Sequence, residues 1–216
     1  MRALPFSHSQ FLDVFAAYNT SLFPWIAGLW IASLAVVAFL YTRRSLSWPV
    51  TVLLAGLWLW GGIVYHLLYF ARINPAARLF GLLFLVQAAL LLGTALRRPL
   101  AYARGRSVRQ VLGAVFLTYA LLYPGLAMAL KLSFPRTPTF GVPCPTVLLT
   151  TGFLLLLPHP GRLLLIIPLL WSLIGGSAAI LLGMTPDYML LAGAGVLLIV
   201  AVRPGLIPAT SPGPAA

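Results

Sequence analysis

Long apolar runs follow one another along almost the whole chain, broken by short connections in which acids are nearly absent. A helix rises 1.5 Å per residue, so a hydrocarbon core of about 30 Å takes roughly 20 apolar residues to cross. On that ruler the runs predict helices near residues 24–42, 49–71, 76–96, 109–131, 145–158, 162–183 and 187–203. The expected fold is all-α, a single transmembrane domain over residues 1–203 built as a bundle of about seven helices. Six is the alternative, because the fifth run is short enough to be a re-entrant loop. Of the 216 residues, 61% are hydrophobic and 7% charged, whereas a soluble domain carries about 25% charged residues. Such a chain cannot cover its surface in water, so its solvent is largely lipid.

The sequence contains no Glu, and its two acids are Asp13 and Asp187, giving a net charge of +12. The basic residues fall in clusters between apolar runs rather than on one patch. That pattern fits lipid headgroups and the positive-inside rule and excludes nucleic acid as the expected partner. The expected partners are the lipid bilayer and a membrane-protein partner or a second copy of the chain.

Counting charges sets the orientation. With seven spans, one side holds Arg43, Arg44, the five arginines from Arg97 to Arg109, Arg162 and Arg203, nine in all, against five on the other. With six spans the two sides hold seven each. The rule therefore favours seven spans, N-terminus out and C-terminus in. The abundance of Arg over Lys, with Ala, Leu, Gly and Pro, points to a bacterial inner membrane. No cleavable secretory signal is evident at the N-terminus.

Two segments flank the spans. Residues 7–20 read as an amphipathic helix lying along the interface, opened by a Ser7–Gln10 capping box, with Pro24 in the first turn of the next helix. The Pro-, Gly- and Ser-rich tail 204–216 is expected to be disordered.

The orientation gathers unusual polar residues at the outer face. Asp13 and Asn19 precede the first long span; His66, Arg72 and Asn74 end the second; Cys144 opens the fifth; Asp187 opens the seventh. His66 lies at membrane depth, where an ionisable group is a functional candidate by default. Its alternatives are a neutral ring bonded to a neighbouring helix, or a proton, metal or ligand role. Arg72 is expected either to snorkel to headgroups or to pair with Asp13 or Asp187. Asn74-Pro75 reads as a cap followed by the first helical residue. Cys144, the sole thiol, stands between two prolines at a helix N-terminus and is either a packing residue or a reactive group. One Cys permits no disulfide and no Cys-based metal cage, and no cofactor is expected.

In the sixth span Ser172, Gly176, Ala179 and Gly183 form a stripe of small residues suited to close helix contact, within the chain or with a partner. Trp171, Trp25, Trp30 and Trp48 fit interfacial belts. There is no Walker motif, no Gly-x-Ser-x-Gly, no His-Glu-x-x-His and no paired acids.

The strings Phe15-Ala-Ala-Tyr-Asn19, Tyr65-His66, Ile73-Asn-Pro-Ala-Ala77 and Gly141-Val-Pro-Cys-Pro-Thr146 resemble those of a bacterial multi-pass inner-membrane family classed only as a domain of unknown function. The resemblance implies membrane class and extent, and no activity. The residues themselves leave three readings open. One is a small-solute or ion carrier, channel or sensor with an outward-facing polar site. Another is a membrane enzyme acting on lipid headgroups with His66 as base. The third is a structural or accessory subunit.

Cys144 reports the orientation. An impermeant maleimide that labels intact spheroplasts places the Pro-Cys-Pro turn outside, and labelling only after permeabilisation inverts the local topology. Labelling confined to denaturant makes Cys144 a packed residue.

Overall fold

The computed structural model describes residues 5–42 and 47–209. The fold is all-α, and six of its helices are long and apolar enough to cross a membrane, the make-up of a multi-pass membrane protein. Helix α1 runs His8–Thr42, α2 Ser47–Arg72, α3 Ala77–Arg97, α4 Val108–Ala129, α5 Pro143–Leu156, α6 Arg162–Leu182 and α7 Met189–Val202. The expected tail falls partly within a single turn, Pro204–Leu206; residues 210–216, like Arg2, Arg43 and Arg44, lie outside the described residues.

α1 corrects the expectation at the N-terminus. The interfacial helix 7–20 and the span 24–42 are one continuous helix of 35 residues, with Pro24 inside it. Proline removes one backbone donor, and in a membrane helix neighbouring groups satisfy the freed carbonyl. The Ser7–Gln10 capping box does open it: Gln10 N donates to Ser7 Oγ, and Ser7 N donates to Gln10 Oε1 at 2.8 Å. A second such box, Ser107 with Gln110, opens α4.

α2 changes winding midway. Residues Gly61–Tyr69 form a wider, i→i+5 bonded stretch, closed by a tight turn at Phe70–Arg72. Its buried residues are Gly61, Gly62, Tyr65, His66 and then Phe70. The broadened turn carries both Tyr65 and His66 inward. Local widening of this kind recurs at functional sites. The glycines bring α2 against α3: a Cβ at Gly62 would lie 3.0 Å from the Gly81 carbonyl oxygen.

α5 is the centre of the bundle. Thirteen of its fourteen residues are buried. At 1.5 Å per residue it measures about 21 Å, short of a bilayer core. The rest of the passage is made by irregular, turn-containing chain, whose residues 137–142 are all buried. Gly141 stands against Gly61, near the middle of α2, so α5 begins at half depth. It ends at the arginine-rich end of the bundle, where Ala103 N donates to Leu156 O at 2.7 Å and Gly161 lies beside the Arg98 guanidinium. The chain thus alternates ends seven times, with a helix completing only part of the fifth passage. The fifth helix starts two residues sooner, and stops two sooner, than the apolar run predicts.

Small residues allow the closest approaches. A Cβ at Gly113 of α4 would lie 3.0 Å from the Gly152 carbonyl oxygen of α5, and one at Gly152 would lie 2.9 Å from Leu117 N. The stripe on α6 is spent inside the chain: a Cβ at Gly176 would meet Leu191 of α7 at 2.5 Å. This corrects its reading as a contact for a partner. Gly183, exposed and at φ 65°, ends α6 instead of packing it.

Gly152→Val forces backbone apart and is expected to destabilise the bundle by about 1–3 kcal/mol. Gly28→Val, which meets open space, should leave stability nearly unchanged. Melting temperatures of the two variants in the same detergent check the contrast.

Candidate functional site

The site begins at the hairpin between α6 and α7. Gly183 adopts the left-handed conformation that only glycine takes without strain, and Met184 N closes the helix end by donating to Ala179 O at 2.9 Å. The next residues, Thr185–Tyr188, form one tight turn started by Pro186, with Asp187 N donating to Met184 O. That turn folds Asp187 back into the bundle, where it is 4% exposed. Two tyrosines one helical turn apart on α4 hold it there. Tyr119 Oη donates to Pro186 O at 2.8 Å, and Tyr123 Oη donates to the Asp187 carboxylate. The spacing of Tyr119 and Tyr123 was the available sequence signal for this grip.

Asp187 faces the half-depth start of α5. The Cys144 thiol adjoins its carboxylate, and Trp171 of α6 lies on the other side of the thiol. The first turn of α5 therefore presents its positive end to the acid. In front of these groups is a cavity of about 150 Å³, lined by Asp187, Cys144 and Asn74 among polar residues, by seven aromatic side chains and by aliphatic ones such as Ile174, Leu182 and Met184. Phe6 precedes α1, Phe11 and Phe15 come from α1, Tyr65 and Phe70 from α2, Phe80 from α3 and Trp171 from α6. Among the described residues no Arg, Lys or His lines it.

His66 stands behind that wall. Its ring is fully buried, with centroids 4.8 Å from Phe84, 5.0 Å from Trp171 and 5.4 Å from Tyr65. Neither ring nitrogen has a hydrogen-bond partner among the described residues, and the Trp171 Nε1 also lacks one. His66 is thus packed as an aromatic plate that fixes Trp171, without the bond to a neighbouring helix expected of a neutral ring. Among the described residues no three His, Cys, Asp or Glu side chains gather as a metal site would require. Trp171, expected in an interfacial belt, is buried here, whereas Trp25 and Trp48 are exposed on the bundle surface.

The remaining candidates serve the scaffold. Asn19, buried, donates its amide to Pro135 O and Thr137 O at 2.7 Å each and accepts from Thr139 Oγ1 at 2.6 Å. Tyr18 Oη donates to Phe140 O and accepts from Trp60 Nε1. Together they anchor the irregular segment that leads into α5. A Cβ at Gly141, φ 79°, would strike both Tyr18 and Trp60, so this position requires glycine. Asp13 pairs with Arg136 at the surface rather than with Arg72. Arg72 lies over the Tyr69 ring at 5.1 Å. Both findings correct the expected Arg72 ion pair, since the two acids are engaged elsewhere. Asn74 does not cap α3 as expected: the helix starts at Ala77 with Ala76 in the cap position, and the Asn74 Oδ1 accepts from Ala76 N at 3.1 Å in the turn before it.

Arg109 was legible only as a loop charge. Buried, it donates to Leu154 O and Pro158 O, closing the C-terminal end of α5 with a cation where the helix dipole favours one.

A model of a family of unknown function, DUF6064, matches residues 8–207. The chain belongs to that family. The match covers all seven helices. No curated protein and no solved structure matches the chain.

Two substitutions separate anchoring from surface pairing. Asn19→Ala leaves two backbone carbonyls and a hydroxyl unpaired and is expected to cost about 2–4 kcal/mol. Asp13→Ala breaks an exposed pair worth about 0–1 kcal/mol. Thermal unfolding of the two purified variants should differ accordingly.

Proposed function

We propose that this multi-pass membrane protein binds a small solute in the Asp187 cavity, as a carrier, channel or sensor does. One observation carries the reading: a buried carboxylate meets a helix that begins at half depth, beside a cavity. Non-helical backbone at membrane depth is tolerated where it is buried in protein or lines a cavity, and broken helices of this kind build the binding sites of many transporters. The alternative of a lipid-modifying enzyme draws less support, because His66 does not line the cavity and its ring is enclosed by other rings. A purely structural subunit has no use for an acid held inward by two tyrosines.

The location that fits is a bacterial inner membrane, N-terminus out and C-terminus in. The arginine bias supports it after the structural arginines are set aside: Arg109 caps α5, and Arg136 is paired with Asp13. The cavity then lies on the outer half of the membrane.

A screen of small cations, anions and neutral solutes against the purified protein tests the proposal. A bound solute at about a hundred times its Kd should raise the melting temperature by roughly 5–10 °C. Ala178→Phe, which places a ring into the cavity from its wall, should abolish that shift. If no solute shifts the native protein, the proposal fails.

A further inference from the structure

We infer that the cavity takes a small organic cation, a methylated or alkylated ammonium; this rests on the reading of the cavity as a solute site and names the class of solute. Charge comes first. Among the described residues Asp187 is the sole charged side chain lining the cavity, and its hydroxyl partner Tyr123 leaves that charge unneutralised. A cation is therefore favoured and an anion repelled. The positive end of α5 does not reverse this, because the acid already occupies it and Pro143 and Pro145 have no N–H to offer.

The walls choose among cations. A hard metal ion asks for six or more oxygens at short range. The lining supplies few oxygens and instead seven aromatic side chains, Phe6, Phe11, Phe15, Tyr65, Phe70, Phe80 and Trp171, beside aliphatic ones such as Ile174, Leu182 and Met184. Aromatic faces attract a cation that has already shed its water, and quaternary ammonium groups are the ligands that such cages hold. Size narrows it further. An apolar cavity of roughly 150 Å³ admits a molecule of about benzene's size, some six heavy atoms, and this cavity has about that volume.

Cys144 supplies a readout besides melting, since it lines the cavity beside Asp187 and is the sole cysteine. The probes are tetramethylammonium, choline and 3,3-dimethylbutan-1-ol, the last having choline's shape without its charge. Each is added to the full chain in detergent against equal ionic strength of sodium chloride. Modification of Cys144 by methyl methanethiosulfonate is followed by intact mass. The expected result is that an ammonium slows modification and raises the melting temperature at concentrations at least about tenfold below those the neutral isostere needs. Asp187→Asn should erase that preference, and Phe80→Leu should weaken ammonium binding severalfold while sparing the neutral alcohol. If Asp187→Asn does not fold, the comparison of choline with its isostere in the native protein decides. Equal potency of the two, or no effect of either ammonium, overturns the inference. The broader reading falls as well only if the solute screen also finds nothing that depends on position 178.

Discussion

Backbone hydrogen bonding inside a low-dielectric solvent is the constraint on which this structure depends. Lipid offers no partner to a free N–H or C=O, so each one left open at membrane depth costs several kcal/mol. Most of the chain meets the demand with long helices. The fifth passage cannot, because its helix is too short, and the bundle is arranged around that shortfall. The surrounding helices shield α5, Arg109 bonds the Leu154 carbonyl near its end, and Asn19 and Tyr18 bond the irregular chain that precedes it.

The short helix also creates the site. A full-length fifth helix would fill the space at the end of the bundle opposite the arginine-rich one with its own side chains. Starting at half depth, α5 leaves room for the α6–α7 hairpin to turn inward and carry Asp187 to the helix start. The wider winding of α2 supplies Tyr65 to the same space while seating His66 behind it. Three departures from regular helix thus converge at one cavity: the half-length helix, the inward-folded hairpin and the broadened turn.

Much of the fold was legible because lipid makes the code simple. Run length measured the spans, and the scarcity of charge identified the solvent. The site was less legible. Seven polar residues were expected to share one face; Asp187, Cys144 and Asn74 line one cavity, while Asn19 anchors a loop, Asp13 pairs at the surface, Arg72 stacks on a ring and His66 supports the cavity wall. Pro24 suggested a break that neighbouring groups make unnecessary. Arg109 was overlooked because an arginine at a helix start ordinarily reads as an interface residue, and Tyr119 and Tyr123, within α4, because their partners lie 67 and 64 positions away.

The amino-acid sequence alone determined that this protein is helical, that it lives in lipid, and that its passages alternate between an arginine-rich end and an opposite end. Those properties follow from length, hydropathy and charge, which act residue by residue. Tertiary structure decided which polar groups meet. A hydrogen bond from Tyr123 to Asp187 joins residues 64 positions apart, and Asn19 reaches across more than 110. Such pairings depend on helix rotation, on depth and on where glycines let backbones touch, and none of these is set by local pattern. The cavity is a consequence of those choices together, since its walls come from elements spread over the whole chain.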